Sequence, residues 1–155
     1  MEKTEKKNWI FIIVSAALAL VLAVSAVLFF AMQGRVSVKD GLRQNSRIYI
    51  KNVRCENNVI SYTWYNGTSK EVTVSDRPIL QKKVEDKWVT VTVPGAEQET
   101  SLVLERFKKV EDSFKVERWL GVAAGANRLG EYRLVEPIGT ETEPLYMVGY
   151  FTMEQ

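Results

Sequence analysis

The sequence predicts an all-β sandwich carried behind a single transmembrane α-helix. Three observations predict it. One unbroken apolar run near the N-terminus is long enough to cross a bilayer. From residue 47 onward, short runs rich in Val, Ile, Thr, Tyr and Trp are separated by turn residues. The chain has no histidine and one cysteine, so apolar burial and backbone pairing must hold it together.

The totals exclude several classes. A chain of 155 residues has room for one domain plus extras. Lysine and arginine number 21 against 19 acidic residues, a net charge of +2, and no basic patch supports nucleic-acid binding. Lack of histidine removes the commonest general base, metal ligand and pH switch together. A single cysteine, Cys55, rules out an intramolecular disulfide and any scaffold stapled by one.

The anchor comes first. Residues 1–8 form a short flank with Lys3, Lys6 and Lys7. Residues 9–32 are apolar except for Ser15 and Ser25. At about 1.5 Å per residue the run reaches roughly 36 Å, enough for a hydrocarbon core of about 30 Å. Trp9 at its edge suits the headgroup layer. A cleaved signal peptide is the rival, because Val24-Ser25-Ala26 offers small residues for cleavage. Cleavage there would leave Val27-Leu28-Phe29-Phe30-Ala31-Met32 as a sticky stub, and the run exceeds a normal signal core. Cys55 is too distant from the run to be a lipidation site. Charge does not set direction, since Lys3, Lys6 and Lys7 on one side nearly balance Arg35, Lys39, Arg43 and Arg47 on the other. Ser15, Ala19 and Ala23 recur every four residues, a face on which helices can approach closely, so homodimerisation or docking to a membrane partner is one expectation.

Residues 33–46, polar and carrying Gly34 and Gly41, read as a stalk. The domain then spans 47–155. Its clearest strand is 59–65, with Ile60, Tyr62 and Trp64 on one face and Ser61 and Thr63 on the other. Asn66-Gly67-Thr68 reads as a tight turn with positive φ, although it also matches a glycosylation sequon. A strand at 71–74 follows, then a hairpin with arms 79–84 and 87–93 joined through Glu85-Asp86 and closed by Pro94-Gly95. Further strands are expected at 101–105, 113–119, 131–136 and 145–152, with 108–112 as a connection and 120–127 as a loop or single helical turn. Seven to nine strands in about 109 residues fit one sandwich of immunoglobulin type.

Three stretches carry a resemblance: Ile60-Ser61-Tyr62-Thr63-Trp64-Tyr65-Asn66, Leu80-Gln81-Lys82-Lys83-Val84-Glu85-Asp86-Lys87-Trp88, and Leu129-Gly130-Glu131-Tyr132-Arg133, followed by Tyr150-Phe151. In that order they resemble a family of bacterial immunoglobulin-like domains from Gram-positive lipoproteins and membrane-anchored proteins. The resemblance implies structural roles for Trp64, Asn66, Trp88, Gly130, Tyr132 and Phe151: Trp88 would cover the inner face of its hairpin, and Gly130-Glu131-Tyr132 would form a tyrosine corner. It also implies an extracytoplasmic domain behind a cell-membrane anchor, and no reaction. Asp86 stands where the family usually has glycine, and the chain lacks the lipidated cysteine of many relatives.

The residues themselves offer no catalytic constellation, no cofactor motif and no metal-ligand spacing. Glu85/Asp86 and Glu111/Asp112 are expected in turns, as solvated charges rather than calcium ligands. Cys55 reads as a small strand residue without a histidine to activate it. Among the aromatics, Tyr62, Trp64, Trp88, Trp119 and Tyr132 are expected to point inward, leaving Tyr49 and Tyr65 as candidates for surface contact. The functional expectation is an interaction module for a protein or an envelope polymer. Its alternative is an accessory subunit docking through its helix.

Overall fold

The computed structural model describes residues 2–75, 78–91, 101–116, 128–139 and 142–154. The chain divides into two units, Met1–Gln33 and Gly34–Gln155. The first is one helix, α1 (Glu2–Gln33). Its segment Ile12–Met32 has a mean hydropathy of 2.8, and none of it is buried by protein, so it is long and apolar enough to cross a membrane. The hydroxyl of Ser25 donates to the carbonyl of Val21 at 2.8 Å, which keeps that polar group satisfied inside the apolar run.

The second unit is β-sheet throughout its described length, an arrangement that fits an all-β sandwich. Its strands are β1 (Val36–Lys39), β2 (Leu42–Asn45), β3 (Ile48–Glu56), β4 (Val59–Asn66), β5 (Val72–Ser75), β6 (Ile79–Val84), β7 (Lys87–Thr90), β8 (Ser101–Leu104), β9 (Lys109–Lys115), β10 (Gly130–Gly139) and β11 (Pro144–Met153). One nine-stranded path runs β7-β6-β10-β11-β2-β3-β4-β9, with β1 attached to β2, and β5 pairs separately with β8. The path folds at β2, which touches β11 through the single pair Tyr146–Gln44 and β3 through Asn45–Ile48. Two halves result, β7-β6-β10-β11 and β3-β4-β9. Their inner faces meet: a side chain at Gly149 of β11 would strike Ile50 and Val53 of β3, so only glycine lets the two layers approach this closely.

Alternation builds the core. Ile48 and Ile50 of β3, Ile60, Tyr62 and Trp64 of β4, Leu80 of β6, Tyr132 and Leu134 of β10, and Met147, Phe151 and Met153 of β11 form one buried cluster. Each side chain contributes roughly 1.5–3 kcal/mol by leaving water. Strand β3 keeps this phase only through a bulge. Asn52 and Val53 together oppose the single residue Tyr62, and Asn52 takes a φ of 53°. The extra residue returns Val53 and Cys55 to the core side.

Several expectations need correction. Residues 33–46 are no stalk: they hold the β1–β2 hairpin, whose turn residues Asp40 and Gly41 have φ of 50° and 78°. Positive φ at both central residues is the hairpin geometry for which Asp-Gly is a preferred pair. Residues 109–112, expected as a connection, are the first part of β9, which ends at Lys115; the expected strand's residues 117–119 lie outside the described residues. Neither Asn66 nor Gly67 has positive φ; the β3–β4 hairpin turns instead at Asn57 and Asn58, with φ of 51° and 61°. Pro94-Gly95, Trp119 and the segment 120–127 lie outside the described residues.

Candidate binding surface

Two outer faces carry aromatic side chains. The first belongs to β6, β7, β10 and β11. Cross-strand register places Trp88 beside Lys83, and Arg133 beside both Gln81 and Tyr150, on the side opposite Leu80 and Leu134. Trp88 therefore points outward, contrary to the expectation that it covers the inner face. Its half-buried ring meets Tyr150 edge-on at 5.8 Å, and the Arg133 guanidinium lies 4.5 Å from the Trp88 ring. The Lys39 ammonium sits 4.6 Å over Tyr150. Trp88, Tyr150 and Lys39 border an open groove of about 620 Å³.

The polar groups of that groove are largely engaged with one another. Tyr150 donates to the Asp40 carboxylate at 2.8 Å, while Arg133 donates to the Gln81 amide oxygen at 2.7 Å and to the Asp40 carbonyl at 3.4 Å. Lys83 and Glu131 pair at 2.9 Å, and hydrogen bonding to Glu131 raises the Lys83 pKa. Burial, reinforced by the hydrogen bond to Asp40, pushes the Tyr150 phenol above its ordinary value, so it stays protonated and donating. The cluster ties the β1–β2 hairpin onto the sheet. Its chemistry is consumed in doing so.

The second face belongs to β3, β4 and β9. Here Tyr49 and Tyr65 are directly opposite in register, with ring centroids 4.8 Å apart and the Lys51 ammonium 4.5 Å over Tyr65. Both tyrosines are half-exposed. Tyr65 can lie flat because Gly67 has no side chain; a Cβ there would come within 2.8 Å of the ring. Further along the same face Lys51, Thr63 and Glu111 align, then Arg54, Ser61 and Ser113. All of these but Lys51 border an open, polar groove of about 580 Å³ at the β3 bulge. Asn52 donates to Thr63 at 3.4 Å. The side chains of Ser61, Glu111 and Ser113 have no hydrogen-bond partner among the described residues. An aromatic platform thus adjoins free donors and acceptors, a combination suited to a flat, hydroxylated or amide-bearing ligand.

The remaining site expectations fall as follows. Trp64 is fully buried and meets Tyr62 edge-on at 5.2 Å. Tyr132 stacks on Phe151 at 5.6 Å and its hydroxyl donates to the Arg128 carbonyl at 2.7 Å, while Gly130 opens β10 with φ of 132°. Asn66 is fully buried; its amide nitrogen is within hydrogen-bond distance of the carbonyls of Lys70, Leu104 and Glu105, and its oxygen accepts from the Thr68 amide and hydroxyl. The bond from the Thr68 amide is an Asx turn, made without the positive φ expected, and full burial leaves the Asn66 amide no room for a glycan. Ser15, Ala19 and Ala23 lie exposed along α1. Glu111 and Asp112 lie in a strand rather than a turn, with Asp112 accepting from the Tyr62 hydroxyl at 3.0 Å. No cluster of three or more His, Cys, Asp or Glu able to hold a metal occurs among the described residues. Burial pushes the Cys55 thiol up, with Arg128 partly offsetting, which disfavours the reactive thiolate.

No protein-family model, curated protein or solved structure matches this chain.

Proposed function

We propose that this chain is a membrane-anchored, non-catalytic immunoglobulin-like module on the outer side of a bacterial cell membrane, binding an envelope polymer through the β3-β4-β9 face. The observation carrying the ligand surface is the Tyr49–Tyr65 pair beside the side chains of Ser61, Glu111 and Ser113, which are unpaired among the described residues. Sugar rings stack on tyrosine faces, and neighbouring hydroxyl and carboxylate groups hydrogen-bond their hydroxyls.

Two features support the immunoglobulin-like reading. Strands β3-β4-β9 on one side and β7-β6-β10-β11 on the other follow the A-B-E and C′-C-F-G order of that fold. The Tyr132 phenol bonded back to Arg128 near the start of β10 has the geometry of a tyrosine corner. The separate β5–β8 pair is a departure from a plain two-sheet arrangement.

The test is co-sedimentation of the full chain, held in lipid nanodiscs, with purified Gram-positive cell-wall sacculi. Tyr49→Ala combined with Tyr65→Ala is expected to weaken pelleting roughly tenfold, the loss of two stacking surfaces. Unchanged pelleting of the double variant would contradict the proposed face.

A further inference from the structure

The folded unit begins where the apolar helix ends. Helix α1 closes at Gln33, and Gly34 already packs against Asn45 and Arg47 so tightly that no Cβ fits. The Arg35 amide donates to the Ser46 hydroxyl at 2.9 Å, and the Ser46 amide donates to the Arg35 carbonyl at 2.9 Å. The membrane-crossing segment reaches Met32, so four residue steps separate it from Val36. Fully extended, those steps span at most about 14 Å. A headgroup layer is itself about 5–8 Å deep, so β1 has no means of standing far from it.

The hairpin next to that boundary is two-faced. Lys39 and Gln44 turn toward the sheet, where Lys39 covers Tyr150. On the opposite side Val36 and Val38 are 49% and 71% exposed, with Arg43 directly across from Val38. Arg35 precedes them, also exposed. The one carboxylate of the hairpin, Asp40, is bonded to Tyr150. Adjacent exposed valines on an edge strand are unusual, because natural edges are guarded by charges. With Arg43 across from them, they match an interface where apolar atoms enter the acyl boundary and a cation meets phosphate.

We propose that this face of the β1–β2 hairpin, Val36 and Val38 with Arg43, seats in the headgroup layer of an anionic bilayer. It rests on the retained-anchor part of the functional reading, and is independent of the tyrosine face. The seated hairpin fixes the domain at the membrane surface, so any polymer it holds is held within reach of the lipid.

The experiment uses the full chain carrying Cys55→Ser, reconstituted in vesicles of phosphatidylcholine and phosphatidylglycerol, with nitroxides at Val38→Cys, Leu22→Cys and Val103→Cys in separate samples. Collision rates with oxygen and with an aqueous nickel chelate are measured. Val38→Cys is expected to be shielded from nickel several-fold relative to Val103→Cys, and less oxygen-rich than Leu22→Cys. Vesicles of phosphatidylcholine alone are expected to return it toward the Val103→Cys value. A Val38→Cys label as nickel-accessible as Val103→Cys, while Leu22→Cys reads as hydrocarbon, would overturn the proposal and leave the anchor standing. Dipolar broadening at Val38→Cys would also overturn it, by showing a second copy on the edge. An aqueous reading at Leu22→Cys would instead remove the anchor itself.

Discussion

Asn66 shows how a single polar side chain can fasten a sandwich. Its amide links the segment leaving β4 to the carbonyls of Leu104 and Glu105 at the end of β8, with no exposure to water. Asn66→Ala would strand several buried groups, and the expected loss is about 3 kcal/mol of unfolding free energy, measured by urea denaturation. Tyr150 supplies a pH-dependent contribution. Its pKa is raised above the ordinary 10.0 in the fold, mainly by burial, so the unfolded chain ionises first. The Tyr150 contribution is therefore complete below pH 10 and is lost as the pH rises through the higher folded value. Tyr150→Phe is expected to flatten that alkaline decline in denaturation curves, leaving the parts due to Tyr132 and Cys55, whose pKa values burial also raises. At this scale the sequence was half legible. Alternation placed Ile60, Tyr62 and Trp64 inside, because period two is a property of the strand itself. Trp88 was misread, because one residue of phase decides between core and surface and a hairpin arm carries no label for it.

At the scale of elements, turns decided what could be read. Glu85 in the β6–β7 hairpin takes a φ of 55°, a conformation that glycine would adopt without strain. Asn66-Gly67 reads as a tight turn of positive φ; Asn66 does turn the chain through its side chain, but the glycine serves to seat the Tyr65 ring, a contact local sequence cannot announce. The true hairpin dipeptides were Asp40-Gly41 and Asn57-Asn58. The first was hidden by reading residues 33–46 as a polar connector, since four-residue strands are too short for alternation to stand out. Gly41 has open space around its Cβ position, so Gly41→Ala tests backbone conformation alone. It is expected to cost about 1 kcal/mol by thermal or chemical denaturation, the penalty for positive φ. A zero effect would contradict the hairpin geometry at that turn.

For the molecule as a whole, composition was the better guide. An uninterrupted apolar helix, long and apolar enough to cross a membrane, is followed by strands with one wet face; in the proposed function this becomes a division of solvents, lipid for the first unit and water for the second. The outer-face tyrosines were legible for the same reason as the core, by alternation. The polar groove beside them was not, because it depends on the β3 bulge and on which strand lies next to β4. Hydrogen–deuterium exchange on the full chain in lipid nanodiscs addresses both solvents in one experiment. Slow exchange is expected through Ile12–Met32 and through β3, β4, β10 and β11, where backbone amides are shielded by lipid or by interior pairing. Exchange within seconds across the apolar helix in lipid, or across those four strands, would contradict the division.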